Sequence, residues 1–383
     1  MLIKRRITKK IIESIDFISV TAIIGPRQVG KTTLAKQIKS KFKKVKYLDL
    51  EKKTDLDLLS DAEYYFNLNK DVNLFCIDEI QLKPNLFSVL RSFVDENKEI
   101  RFLILGSATP ELLRQTSQTL AGRIFYNTLN PFQYLEIVDE KTSLNEYHLK
   151  GGFPKSILTK NDVNSFLWRE NFITTFLEKD LLMFGFNLSS TTIHRLWIML
   201  AHINGQVLKY NSLSKSLGID AKTVKKYIAI LNQTFMIRIL EPYHINIKKR
   251  LIKSPKIFIK DTGILHCLLR IKNFEELYSN PYFGSSWESL IVENIINQFN
   301  DWECFYYRTI AGAELDLVLV KGLKIIAIEI KSSLSPKLSR GFWTAIKDVK
   351  ATKSYIIAPV KEIYPYKNDV MVYPLEEFLK LDL

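Results

Sequence analysis

The chain has 383 residues, 46% of them hydrophobic and 12% aromatic, with 55 Lys and Arg against 41 Asp and Glu for a formal net charge of +14. This length exceeds one ordinary domain, and the apolar content excludes a disordered chain. No apolar run approaches the roughly 18 residues of a membrane span, and the excess of positive charge calls for a polyanionic partner or a broadly basic surface.

Residues 1 to 18 form a basic lead-in, Lys4-Arg5-Arg6 then Lys9-Lys10, running into a helix. No apolar segment follows the basic residues at the start, so it does not read as a signal peptide. Cys76, Cys267 and Cys304 lie far apart in apolar surroundings. They read as reduced core residues of a cytoplasmic protein, not as a disulfide framework or a zinc site.

The apolar run Val20 to Ile24 is a strand, and the segment from Leu34 to Phe42 is helical. Between them stand Gly25, Pro26, Arg27, Gln28, Val29, Gly30, Lys31, Thr32 and Thr33, with the G-x-x-x-x-G-K-T spacing intact. The two glycines let the backbone curl until successive N–H groups point at a phosphate. The helix starting at Lys31 adds the positive end of its dipole. Lys31 places a charge on the β- and γ-phosphates, and the Thr32 hydroxyl is suited to ligate Mg²⁺. The stretch predicts a nucleotide site with Mg²⁺.

Further strands are expected at Tyr47 to Leu50, Asn73 to Ile77 and Arg101 to Leu105, with a helix from Asn85 to Glu96. Strands alternating with helices predict a parallel sheet whose ligands bind at the carboxyl ends of the strands. Asp78-Glu79 falls at such an end. Asp78 is expected to orient the Mg²⁺ shell through water, and Glu79 to act on the attacking water as its general base or orienting group. Ser107, with Thr109 as the alternative, sits on the neighbouring tip and is suited to hold that water or sense the γ-phosphate. Leu120 to Phe125 reads as a returning strand. Arg123 in it is the candidate finger for a neighbouring subunit's γ-phosphate in a homo-oligomer, or else a surface arginine in an internal ion pair.

From Pro131 to about Leu200 the pattern is helical and aromatic-rich, interrupted by Gly151-Gly152-Phe153-Pro154, and reads as a helical lid. From 195 to about 260 it reads as a winged helix-turn-helix. A helix over Tyr210 to Leu217, a turn at Gly218, and a second helix from Ile219 with a basic first turn predict a recognition element. Lys222, Thr223, Lys225 and Lys226 on that helix, with Lys248, Lys249, Arg250 and Lys253 in the following basic hairpin, are the DNA-contact candidates. The same module would also serve as an adaptor between domains.

The last segment pairs strands at Cys304 to Arg308, Ala313 to Val320 and Ile325 to Ser333 around Lys321-Gly322. Asp316, Glu329 and Lys331 form the D…E-x-K pattern of metal-dependent nucleases. Strand alternation puts Glu329 and Lys331 on one face, and Asp316 reaches the same spot across the hairpin. Asp316 and Glu329 would bind a second metal ion, Lys331 would help deprotonate or position the attacking water, and Glu288 on the preceding helix is an additional candidate ligand. The alternative is a structural or DNA-binding module with a buried salt bridge.

Taken together, GPRQVGKTTL, FCIDEIQ, LILGSATPELL, TLAGRI, GGFP, KKYIAILNQTFMIRILEPY, KRLIKSPKIFIKDTG, SSWESLIVENI and AELDLVL…IAIEIKSS resemble a bacterial and archaeal family of AAA-like P-loop ATPases. Its members carry a C-terminal domain of unknown function with a restriction-endonuclease-like fold. The resemblance implies an α/β protein: an ATPase domain at 1–136, a helical lid at 137–194, a winged helix at 195–270 and a nuclease-like domain at 271–383. It implies ATP binding and hydrolysis, with Lys31, Thr32, Asp78 and Glu79 at the motif positions. Coupling of nucleotide state to DNA binding is the expected function. The alternatives are a DNA nuclease gated by ATP and an ATP-switched adaptor for protein partners.

Overall fold

The computed structural model describes residues 3–109, 120–140, 142–183, 186, 189–244 and 249–383. The chain forms two compact units. The first combines Met1–Phe132 with Glu178–Leu188 and Gln233–Phe235, and the second holds Gln133–Leu177, Ser189–Asn232 and Met236–Leu383.

In the first unit β1 (Val20–Ile24), β2 (Val45–Asp49), β3 (Leu74–Asp78), β4 (Arg101–Gly106) and β5 (Ile124–Thr128) form a five-stranded sheet in the order β2-β3-β4-β1-β5. Every pairing is parallel. The apolar runs that predicted the strands are continuous because both faces are covered. On one face Phe75, Phe102 and Ile104 pack with Phe66 and with Leu86, Leu90 and Phe93, the last three from the helix Leu86–Glu96. On the other, Cys76, Leu103 and Leu105 meet Ile11 and Ile15 of the helix Thr8–Phe17 and Leu34 and Ile38 of the helix Lys31–Lys39. Parallel order brings all the carboxyl ends to one edge. Because β4 lies between β1 and β3, the tip that carries Ser107 sits between the glycine loop and Asp78-Glu79. One expectation shifts: Leu120 to Arg123 is a turn, with Gly122 at φ 75°, and β5 begins only at Ile124.

The second unit contains the helices Leu144–Lys150, Asp162–Thr175, Ser190–His202, Tyr210–Leu217 and Ala221–Gln233, and an antiparallel pair, β6 (Ile237–Leu240) with β7 (Lys256–Ile259). The helix Phe283–Gln298 then leads into a six-stranded sheet of order β12-β13-β11-β10-β9-β8. Its strands are β8 (Glu303–Arg308), β9 (Glu314–Lys321), β10 (Lys324–Ile330), β11 (Lys353–Ile357), β12 (Tyr364–Pro365) and β13 (Met371–Tyr373). β9 and β10 make the expected antiparallel hairpin, with Ile328 opposite Leu317.

The Gly-Gly-Phe-Pro break has a packing cause. The Asp261 carboxylate accepts from Ile264 N at 2.9 Å, capping the helix Thr262–Leu268, and from Gly152 N at 2.7 Å. Gly263 lies so close to this strap that a Cβ there would stand 2.1 Å from Lys150 O. Arg169, fully buried, donates from Nη1 to Leu149 O at 3.1 Å and to Gly263 O at 3.0 Å. The strap and the helix therefore meet backbone to backbone, which only glycine permits.

Candidate functional site

Gly25 leaves β1 at φ 154°, and a Cβ on it would lie 2.1 Å from Leu129 O. Gly30, at φ 97°, is the N-cap of the helix Lys31–Lys39. The loop between them is anchored from inside: the Val29 side chain is fully buried in the core, and Val29 O accepts from Arg5 Nη1 at 3.2 Å. Arg5 also donates to Asn130 O at 2.5 Å and lies 4.6 Å from the centre of the Phe132 ring. A residue of the basic lead-in thus holds the glycine loop to the chain leaving β5. Sequence reasoning missed it, since nothing separates Arg5 from Arg6 in the pattern.

Lys31 is buried, and its ammonium donates to Gly25 O at 3.0 Å and Pro26 O at 2.8 Å. Among the described residues no carboxylate lies within ion-pair distance of it. Burial lowers its pKa to about 8, against the pull of Glu79 and Asp78. A buried ammonium satisfied only by carbonyl oxygens gains from an incoming anion. The Arg27 side chain turns elsewhere: Nη1 meets Asp180 Oδ1 and Nη2 meets Glu51 Oε1, each at 2.6 Å.

Asp78, 3% exposed, collects three donors. Oδ2 accepts from the Thr32 hydroxyl at 2.7 Å and the Tyr47 hydroxyl at 2.5 Å, and Oδ1 from Glu79 N at 3.0 Å. Burial and the bond to Asp78 push the Tyr47 phenol well above its usual pKa, so it stays a donor. The direct Thr32–Asp78 contact places side by side the two oxygen ligands expected for Mg²⁺. Glu79 adopts the left-handed conformation at φ 54°, which a non-glycine residue reaches at a cost of about 1–3 kcal/mol. Its Oε2 accepts from the Gln81 amide and, at 3.2 Å, from the Ser107 hydroxyl. Ser107 is thus tied to Glu79, whereas Thr109 Oγ1 is buried without a side-chain partner. Arg123 stands at the far, amino-terminal end of the sheet, where its carbonyl accepts from Val20 N. Its guanidinium grips Asp95 through Nε at 2.5 Å and Nη2 at 2.9 Å.

In the second unit, Val224, Tyr227, Ile228, Ile230 and Leu231 of the helix Ala221–Gln233 are buried. Lys222, Lys225 and Lys226 are exposed on the opposite face, at i, i+3 and i+4 spacing. Thr223 is instead taken up by Asp220, which caps the helix: its N–H donates to Oδ1 at 2.9 Å and its hydroxyl to Oδ2 at 2.6 Å. Of the hairpin candidates, Arg250 and Lys253 are exposed, Lys249 is held by Asp348 at 2.6 Å, and Lys248 lies outside the described residues.

The hairpin β9–β10 does bring Asp316, Glu329 and Lys331 to one place. Asp316 Oδ2 accepts from Ile330 N at 2.8 Å, and Lys331 Nζ donates to Glu329 Oε1 at 2.6 Å. Glu288 joins them, and burial pushes both Glu288 and Glu329 above the usual carboxylate range. Lys256, absent from the sequence pattern, stands among these acids. Its ammonium is 3.1 Å from Glu288 Oε1, 3.2 Å from Glu314 Oε1 and 3.7 Å from Asp316 Oδ1.

Comparison with known proteins places these sites in a family. An AAA-domain model matches residues 18–138, and two domains of unknown function, DUF8612 and DUF4143, match residues 141–275 and 283–378. Uncharacterized proteins of Mycobacterium tuberculosis and Mycobacterium bovis are each 35% identical over 381 residues, covering 99% of this chain and 85% of theirs. The chain belongs to the family of these mycobacterial proteins. Among solved structures it is similar to a Walker-type ATPase of Pyrococcus abyssi, at 14% identity and a TM-score of 0.49, over 70% of this chain and 96% of that one. The AAA-domain match over residues 18–138 of this family member agrees with its parallel five-stranded sheet, which carries the glycine loop at its carboxyl edge as a P-loop fold does. Its C-terminal region, carrying the Asp316 cluster, lies within DUF4143. Among the described residues no helix is long and apolar enough to cross a membrane.

Proposed function

We propose that this AAA protein hydrolyses ATP with Mg²⁺ and couples its nucleotide state to DNA binding. The observation that carries the proposal is Lys31: a buried ammonium, without a carboxylate partner among the described residues, facing a loop shaped by two positive-φ glycines. In this reading the backbone of Gly25 to Thr33 cradles the phosphates and Lys31 turns from its two carbonyls to the β- and γ-phosphates. Thr32 and Asp78 are the Mg²⁺ ligands. When bound, the ion would neutralise charge developing between the β- and γ-phosphates. Glu79 takes the proton of the attacking water, and Ser107 fixes the rotamer of that carboxylate. Arg123 is suited to a neighbouring subunit only after releasing Asp95. The four-part division at 136, 194 and 270, with a winged helix over 195–270, belongs to the same proposal, as does a cytoplasmic setting, which suits the three free cysteines.

The test is the ATPase rate with and without duplex DNA for the unchanged chain and Lys31→Ala. Hydrolysis that DNA alters, and that the substitution removes, is the expected result. No nucleotide uptake by folded protein, even with DNA supplied, overturns the reading.

Lys31 also sets a pH dependence. Burial lowers its pKa to about 8, and the phosphates bind the protonated form. Above that pH a growing fraction of the free protein must take up a proton to bind. Affinity for ATP is therefore expected to hold steady up to about pH 8 and then to fall by at most about tenfold per unit. Isothermal titration in two buffers of different ionisation enthalpy reads the proton uptake directly, and Lys31→Met should show none from this group.

DNA binding rests on the stripe of Lys222, Lys225 and Lys226. Reversing all three to Glu is expected to weaken duplex binding and to flatten the dependence of log K on log salt by about 0.9 for each phosphate no longer neutralised. Fluorescence anisotropy at several salt concentrations measures both. The alternative reading, DNA cleavage by a restriction-endonuclease-like C-terminal domain, has the convergence of Asp316, Glu329 and Lys331 in its favour and the Lys256 ammonium among the same acids against it. Incubating DNA with Mg²⁺ or Mn²⁺, with Asp316→Ala as control, tests it.

A further inference from the structure

Lys256 opens β7, outside the D…E-x-K stretch, and is 3% exposed. Its aliphatic stem runs past Tyr306, whose ring centre is 5.6 Å from Nζ. The ammonium then reaches Glu288, Glu314 and Asp316, all within 4 Å. Oxygens from three carboxylates converging on one point are what a divalent cation would otherwise gather. The remaining capacity of the cluster is largely spent. Asp316 Oδ2 is taken by Ile330 N, Glu329 Oε1 by Lys331, and Arg308 Nε lies 3.4 Å from Glu314 Oε2.

A metal ion set among these carboxylates would stand against the Lys256 ammonium, which is 3% exposed and so little screened by solvent. Among the described residues no group of three or more His, Cys, Asp or Glu side chains is arranged to hold a metal. The residues present therefore do not fit the ion that a nuclease-like domain implies. One atom points the other way: Glu329 Oε2 is buried and has no hydrogen-bond partner, a ligand oxygen left over.

We propose that Lys256 is the resident cation of this cluster, taking the place of a divalent ion and fastening β7 to the helix Phe283–Gln298 and to β9. The second unit accordingly takes up no Mg²⁺ or Mn²⁺ at these acids and does not cut DNA. With the ammonium gone, Glu288, Glu314, Asp316 and the spare oxygen of Glu329 become a divalent-cation site. The inference concerns the C-terminal acids alone and stands apart from the ATPase reading.

The experiment is a Mn²⁺ titration of the full chain without nucleotide, followed by the electron paramagnetic resonance of the free ion. The unchanged protein and Asp316→Asn should bind Mn²⁺ alike, which subtracts any uptake elsewhere. Lys256→Met, close in volume but neutral, should bind one more ion per chain, and Lys256→Met with Asp316→Asn should lose it. The proposal is overturned if the unchanged protein holds a Mn²⁺ that Asp316→Asn removes. It is equally overturned if Lys256→Met, folded by circular dichroism, binds no more than the unchanged chain. Should Lys256→Met fail to fold, the comparison of the unchanged chain with Asp316→Asn still decides.

Discussion

Glu79→Gln is expected to bind ATP as tightly as the unchanged chain and to hydrolyse it about 10²–10⁴-fold more slowly, the range for losing a positioned general base. The substitution keeps the size of the side chain and its contact with the Ser107 hydroxyl, but an amide cannot take a proton from water. The backbone supports the assignment. A strained left-handed residue at the end of a buried strand persists only where its surroundings enforce it, and here Glu79 N is held by Asp78 Oδ1 while Gln81 and Ser107 hold the carboxylate. Ser107→Ala removes one hydrogen bond to a carboxylate and should cost about ten- to a hundredfold. Single-turnover phosphate release at saturating ATP, beside a binding titration, separates the two effects. Turnover that survives Glu79→Gln would move the base role to another group.

Gly263→Ala should be the most damaging conservative change in the second unit. The added methyl would sit 2.1 Å from Lys150 O and 2.5 Å from its carbonyl carbon. Backbone cannot swing aside as a side chain can, so the helix Thr262–Leu268 must part from the strap. With it go the bonds that Asp261 and Arg169 make across the gap. We expect at least about 3 kcal/mol of destabilisation, the upper end for overpacking, or a drop in melting temperature of about 6–12 °C. Gly284→Ala is the control: the nearest atom is Ser332 Oγ at 3.8 Å, and the helical backbone accepts alanine. It should be neutral or gain up to about 1 kcal/mol. Equal melting temperatures for the two variants would remove the close-packing argument.

The first unit was legible because its chemistry is local. The glycine loop, Asp78-Glu79 and Ser107 each sit at the end of an apolar run, and a parallel sheet gathers such ends without further information. The D…E-x-K hairpin was legible for a similar reason, since strand alternation and a short turn fix which side chains meet. What could not be read were pairings between residues far apart in sequence. Lys256 is 32 residues from Glu288, the nearest in sequence of its acidic partners, and no pattern announces it. Arg5 is 125 residues from Asn130. The Asp348 partner of Lys249, 99 residues on, likewise turns an expected phosphate ligand into half of an internal ion pair. The glycines of the strap were visible as a break, but their reason lay in the backbone of a helix more than a hundred residues later.

The nucleotide-binding unit is stitched from separate lengths of chain, which bears on how the protein can be taken apart. Asp180, the acid that grips Arg27 in the glycine loop, and Phe186 and Phe235, which pack on its core, all come from beyond residue 136. A fragment expressed as residues 1–136 would leave Arg27 of the glycine loop with Glu51 but without Asp180, and would bare an oily flank. Biochemistry on the isolated piece would report on a damaged site, so dissection is better done by point substitution in the intact chain.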